Sequence, residues 1–223
     1  SSFNLDSVDF VNISSIYACA LYLEKCKNLT VVNSRFVNLT ANITAGAIAV
    51  KSRGNVYIKG CEFINTKSFK NAGAVNVDYI IDSKVTILDT VFVNSSSMMG
   101  GAYIQLGGSL FMNNTNFTSN SAVHNGGAVY LAFLENAEIN NCVFDSNAVE
   151  DFEDYPGLGG AIFSDYNNIL INNSSFLNNS ASAGNAILAV DTYYAIANSI
   201  FANNTNALFT YYDVGNCIWK NNT

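Results

Sequence analysis

The sequence predicts an all-β protein, a right-handed parallel β-helix of about eight coils of 25–32 residues, forming a single domain over residues 1–223. Three observations carry that expectation: a Phe-centred segment that recurs at near-constant spacing, an Ala-centred segment that follows each Phe, and a composition of turn and strand formers. Charged residues make up 12% of the chain and proline occurs once, while asparagine occurs 34 times. Abundant Asn, Gly, Ser, Val, Ile, Phe and Tyr favour short strands joined by many turns, and the scarcity of Glu, Lys and Arg removes the usual helix formers.

The Phe landmarks are FVNIS at Phe10, FVNLT at Phe36, FINTK at Phe63, FVNSS at Phe92, FTSNS at Phe117, FDSNA at Phe144, FLNNS at Phe176 and FANNT at Phe201. Successive Phe lie 26, 27, 29, 25, 27, 32 and 25 residues apart. Behind each comes a small-residue segment: ACALYL, AGAIAV, AGAVNV, GGAYIQ, GGAVYL, GGAIFS, GNAILA and TNALFT, which makes Ala20, Ala47, Ala74, Ala102, Ala128, Ala161, Ala186 and Ala207 equivalent. Ahead of each Phe, apolar residues stand seven and five positions back, as in Leu29/Val31, Val85/Ile87 and Ile169/Ile171. A period of two marks a strand with one buried face.

Two corner positions complete the repeat. Small residues stand two before Phe at Ser34, Cys61, Thr90, Thr115, Cys142, Ser174 and Ser199. Three before it stand Asn33, Gly60, Asp89, Asn114, Asn141, Asn173 and Asn198, residue types that tolerate the left-handed conformation of a tight corner. One coil cannot bury its apolar face alone, whereas stacked coils place Phe on Phe, Ala on Ala and Asn on Asn. At the ~4.8 Å strand spacing, the rod would be on the order of 40 Å long. A leucine-rich repeat has a similar period, but its LxxLxLxxN signature and its helical segment are missing.

The pairing of FxxN with GGA followed by Ile, Leu, Val or Tyr resembles the repeats of polymorphic outer membrane proteins and related adhesin-like β-helix proteins. FxxN stands here as FTSN, FDSN, FLNN and FANN, and GGA stands at Gly100–Ala102, Gly126–Ala128 and Gly159–Ala161. The first four copies depart, with Asn one place earlier, as do the first and last two GGA sites. The resemblance covers essentially the whole chain and implies surface display with adhesion or scaffolding. It carries over no catalytic residue.

Charge excludes one class of function. Residues 25–84 hold nine of the ten Lys and Arg, whereas residues 85–219 hold eleven Asp and Glu and no cation. Nucleic-acid binding needs a basic stripe along the molecule, so no nucleic-acid partner is expected. No apolar run is long enough for a membrane-spanning helix, and the chain, which does not open on Met, reads as a segment of something longer.

Individual candidates follow from this frame. His124, in the copy FTSNSAVHNGGAVYL, is the sole histidine and reads as a turn residue, since no second ligand type clusters with it. Of the five cysteines, Cys61 and Cys142 share one column three coils apart, roughly 14 Å, too far for a disulfide, and read as small buried groups. Cys19 and Cys26 are the one pair close enough in sequence for a local disulfide. The stretch EDFEDYPGLGG lengthens one coil and concentrates Glu150, Asp151, Glu153 and Asp154, a candidate Ca²⁺ loop that lacks the DxDxDG order. No other cofactor is indicated.

The strongest chemical signal is a set of twelve N-x-S/T sequons, at Asn12, Asn28, Asn38, Asn42, Asn94, Asn113, Asn116, Asn172, Asn173, Asn178, Asn203 and Asn221, where composition alone would give about five. Asn12, Asn38, Asn94, Asn178 and Asn203 share one position, two past Phe, and predict a row of glycans along one edge.

The sequence therefore reads as a non-catalytic structural or adhesin-like segment of an extracellular or cell-surface glycoprotein. A fibre subunit is a close variant. Partners are expected to be other copies of the chain or other surface proteins, with glycans attached covalently. The alternative is a carbohydrate-active β-helix enzyme, a polysaccharide lyase or glycoside hydrolase. It would need paired carboxylates or a cation, and Asp165, Asp191 and Asp213 lie on different coils with no shared motif.

Overall fold

The structure, a computed structural model, describes residues 1–51, 53–78, 83–151, 156–209 and 218–220. Among these residues the regular elements are all strands and the strand pairings all parallel. One circuit runs through Asn28–Val32 in a first sheet, Arg35–Ala41 in a second and Ile48–Lys51 in a third. The next strand, Asn55–Lys59, then lands on Asn28–Val32 in register, with Leu29 opposite Val56 and Val31 opposite Ile58. The first and third sheets have eight strands and the second has twelve, because its long strands divide in the later coils. Eight rungs make seven complete circuits, in line with the eight repeats.

Parallel pairing in register explains the repeat. Phe10, Phe36, Phe63, Phe92, Phe117, Phe144, Phe176 and Phe201 are successive register partners in the second sheet. From Phe36 to Phe201 each ring is 0% exposed. Their centroids are 4.6–5.0 Å apart and their planes lie within 7° of parallel. Backbone hydrogen bonds set that spacing, and it coincides with a stacking distance for aromatic rings. The inward apolar pairs of the first sheet and the Ala column close the same core.

The corner before each Phe is left-handed throughout. Ser7, Asn33, Asp89, Asn114, Asn141, Asn173 and Asn198 have φ between 50° and 56°, and Gly60 has 63°. The small residue that follows points inward and satisfies the turn. Thr90 donates to Leu88 O at 2.7 Å and accepts from Cys61 N at 3.4 Å, and Ser174 and Ser199 repeat the pattern. A side chain with one short polar arm is required there, because the backbone N–H of the neighbouring coil has no ladder partner at the corner.

The double glycine has two separate causes. Gly126 has φ +67°, a conformation that L side chains rarely adopt. Gly127 packs so closely on the next coil that a Cβ would stand 2.0 Å from Gly160 O.

The FxxN asparagine is a buried rung of its own. Three past Phe, the interior column reads Ile13, Leu39, Thr66, Ser95, Asn120, Asn147, Asn179 and Asn204, changing from apolar to hydroxyl to amide along the rod. Asn147 Oδ1 accepts from the backbone N and Nδ2 of Asn120, both at 3.0 Å. Asn147 Nδ2 donates to Phe117 O and to Asn179 Oδ1, both at 3.0 Å. All four hydrogen-bonding positions of the amide are used. The Asn of the first four repeats, two past Phe, belongs to a different column on the outside, which the later repeats fill with Ser119, Ser146, Asn178 and Asn203.

Two stability measurements check this account. Phe117→Ala is expected to cost about 3–5 kcal/mol in urea unfolding, as core Phe truncations do; a loss under about 1 kcal/mol would take the Phe column out of the core. Asn147→Leu keeps the volume and removes four bonds, and each buried group left unpaired costs about 1–3 kcal/mol. A loss of at least about 3 kcal/mol is expected, and a neutral result would mean the ladder carries no stability.

Candidate functional site

The sequence-selected asparagines come out on the outside. Asn12, Asn28, Asn38, Asn42, Asn94, Asn116, Asn173, Asn178 and Asn203 are exposed and Asn113 and Asn172 are half-exposed, while Asn221 lies outside the described residues. The buried asparagines Asn76, Asn120, Asn147, Asn167, Asn179, Asn185 and Asn204 are all non-sequon residues. The corner two past Phe is left-handed at Asn12, Asn38, Asn65, Asn94, Ser119, Ser146, Asn178 and Asn203, with φ between 52° and 58°. Left-handed φ aims these side chains out of the rod and stacks them: Asn38 Nδ2 donates to Asn12 Oδ1 at 2.9 Å, Asn65 to Asn38 at 3.0 Å, Asn94 to Asn65 at 2.7 Å and Asn203 to Asn178 at 3.0 Å.

The lengthened coil behaves otherwise than a simple acidic loop. Asp151 Oδ1 accepts from Gly157 N at 2.8 Å and from the Ser182 hydroxyl, and these bonds hold its carboxyl below the ordinary carboxylate range. Glu150 is exposed beside it, and Glu153 and Asp154 lie outside the described residues. Among the described residues no cluster of three His, Cys, Asp or Glu side chains is placed to hold a metal. Leu158 returns the chain to the rod, donating its N–H to His124 O at 3.0 Å, and His124, Asn125, Pro156 and Leu158 line a cavity of about 420 Å³.

The structure corrects the cysteine pairing. Cys19 and Cys26 stand at opposite ends of the strand Leu21–Glu24, which holds them apart on two different corners. Cys19 Sγ donates to Thr40 O at 3.2 Å and Cys26 Sγ to Asn28 O at 3.2 Å. Cys61 and Cys142 are buried in the column of small corner residues, as their spacing predicts, and Cys217 lies outside the described residues.

One juxtaposition was not legible in the sequence. Asp165 and Asp191 stand on neighbouring rungs at the edge between the third and first sheets, since Asp165 is in register with Val190. Asp165 is raised above the ordinary carboxylate range, first by partial burial and then by the Asp191 charge. Asp191 accepts a hydrogen bond from Tyr166. An open groove of about 420 Å³ lies on the outer face of the first sheet, lined by Asn136, Glu138, Asn168, Leu170 and Tyr193 with three inner neighbours and Ala195; Glu138 is the one carboxylate among them. Asp213 lies outside the described residues.

No family model and no solved structure matches the chain. Over 143 residues, 64% of its length, it is 28% identical to metabotropic glutamate receptor-like protein R of Dictyostelium discoideum. The matched segment spans 9% of that relative. No helix among the described residues is long and apolar enough to cross a membrane.

Thiol chemistry tests the placement of the cysteines. Burial pushes Cys142 up to about 12 and raises Cys61 in the same direction. Neither is expected to react with iodoacetamide at pH 8 until the chain is unfolded; rapid labelling of the native protein at Cys142 would contradict its burial. Because the folded thiol titrates above its unfolded value of 9.0, the Cys142 contribution to stability is full below pH 9.0 and is lost as pH rises toward about 12.

Proposed function

We propose that the chain is a non-catalytic, adhesin-like scaffold segment of an extracellular or cell-surface glycoprotein, working through the outer faces of its rod. The observation that carries this reading is the segregation of its asparagines: among the described residues every sequon Asn reaches solvent, and every buried Asn is a non-sequon residue. The interior amides of Asn120, Asn147, Asn179 and Asn204 serve the ladder, whereas the sequon amides lie outside the core. The receptor-like name of the Dictyostelium relative accords with a place at a cell surface.

Rung spacing sets which sites carry glycans together. Asn12 and Asn38 are neighbours in one column, as are Asn178 and Asn203, only ~4.8 Å apart along the rod. A sugar ring attached to one Nδ2 covers the next rung, so each pair is expected to carry one glycan, whereas Asn94, whose neighbours Asn65 and Ser119 lie outside sequons, is expected to be fully modified. The measurement is intact mass of the chain secreted from a eukaryotic host, before and after enzymatic deglycosylation, with site occupancy by peptide mapping. A mass equal to the bare chain would remove the glycoprotein reading.

The enzyme alternative is tested directly. Incubation with uronate-containing and neutral polysaccharides, with products followed by mass spectrometry, is expected to give no turnover. Turnover lost in Asp165→Asn or Asp191→Asn would replace the scaffold with a carbohydrate-active enzyme.

A further inference from the structure

At one place on the second sheet, exposed apolar side chains surround a sequon. Ser15, Ala41 and Ser68 are register partners on three successive rungs. The ladder runs one residue further, since Asn42 N donates to Ser15 O at 3.2 Å and Phe69 N to Ala41 O at 3.1 Å. Ile16, Asn42 and Phe69 therefore follow one another along the rod, all three on the outside. Ile16 is 61% exposed and Phe69 52%. Phe69 keeps that exposure although Lys67 Nζ lies 4.7 Å from its ring centroid. Met98 stands on the next rung, two past Ser96, the register partner of Lys67, and is 38% exposed. An open groove of about 270 Å³ continues from there, lined by Phe69, Met98 and Val123 with Lys67 and Glu150 among their neighbours. Single exposed apolar residues are ordinary, but a contiguous patch marks a surface that something covers.

We propose that the cover is covalent: Asn42 carries an N-linked glycan whose first N-acetylglucosamine packs on Phe69 and Ile16. The proposal rests on the glycoprotein reading and assigns one of its sites a structural role. Asn42 opens the sequon Asn42–Ile43–Thr44 at the centre of the patch. One face of the sugar ring presents axial C–H bonds, which pack against the face or edge of an aromatic ring, and the N-acetyl methyl is a further apolar group. Rungs ~4.8 Å apart put both neighbours within reach of a sugar held on Asn42 Nδ2. Among the described residues no other sequon Asn has a large exposed apolar side chain on both adjacent rungs. Asn38 stands between Asn12 and Asn65, Asn94 between Asn65 and Ser119, and Asn116 between the half-buried Val91 and Val143. Thr44, the third sequon residue, is buried and donates to Tyr17 O at 2.7 Å, so Asn42 is modified before this corner folds.

The test uses the full 223-residue chain secreted from a eukaryotic host. Peptide mapping is expected to find Asn42 occupied. NMR cross-relaxation is expected between the ring hydrogens of its first sugar and the Phe69 ring. Asn42→Gln should lower Tm by about 2–4 °C, the shift of a contact of ordinary strength in a chain of this size. In a Phe69→Ser background the same substitution should leave Tm unchanged, because the sugar has lost its platform. A bare Asn42 in a chain glycosylated at Asn94 would overturn the proposal and leave the glycoprotein reading standing. A chain bare at every site would remove both. An occupied Asn42 whose removal costs the same with Phe or Ser at position 69, or whose sugar shows no cross-relaxation with Phe69, would also overturn it. So would a glycosylated chain that dimerises and becomes monomeric on Phe69→Ser, since the patch would then belong to a second copy.

Discussion

The hydrogen-bonded spacing between parallel strands governs this molecule. Each circuit lands on the one before it at the strand separation, in register, so a residue's chief neighbour is its own equivalent one coil away. Any residue type placed in the repeat must therefore tolerate its own kind at ~4.8 Å. Phe does so by ring stacking, Gly127 by having no side chain at all, and Asn147 by pairing its amide head to tail. Charged residues do so poorly, since like charges at that distance repel without screening. This accounts for a chain with 12% charged residues and for the placement of nearly all of them on edges and outer faces.

Asparagine meets the constraint in two ways that the backbone separates. Two past Phe, a left-handed corner turns the side chain outward, and Asn38, Asn65 and Asn94 form an exposed ladder. Three past Phe, the chain has re-entered extended conformation and the side chain turns inward, where Asn120, Asn147, Asn179 and Asn204 form a saturated one. A one-residue shift thus decides between solvent and core, the same rule that governs any strand. The inner column also changes character along the rod, from Ile13 and Leu39 through the Thr66–Ser95 hydroxyl pair at 2.8 Å to the amides. Each junction joins chemically compatible neighbours, so no amide faces an aliphatic side chain.

Most of the fold was legible in the sequence because repetition makes it so. Eight copies of Phe, Ala and an alternating apolar pair supply eight independent readings of one geometry, and chance departures such as Gly60 or Tyr194 do not obscure it. The corner asparagines were legible for the same reason. The FVN and FxxN asparagines were not distinguished, because sequence spacing alone does not reveal that a left-handed residue lies between two strands and reverses which face the next side chain takes. Cys19 and Cys26 misled because seven residues suggest proximity, whereas the extended strand Leu21–Glu24 lies between them. The Asp165–Asp191 pair was hidden by loop lengths that differ from coil to coil. Only the register of the sheets on either side shows that Lys51, Gly107 and Tyr166 belong to one edge.

Exchange of side-chain amide hydrogens is the most direct test of this account, because it reads the two asparagine columns separately in one native sample. The Nδ2 hydrogens of Asn120, Asn147 and Asn179 are expected to exchange only with global unfolding, while those of Asn38, Asn65 and Asn94 exchange on the timescale of solvent-exposed amides. Comparable exchange in both columns would contradict the inward ladder, and with it the claim that register at the strand spacing assigns each repeat position its role.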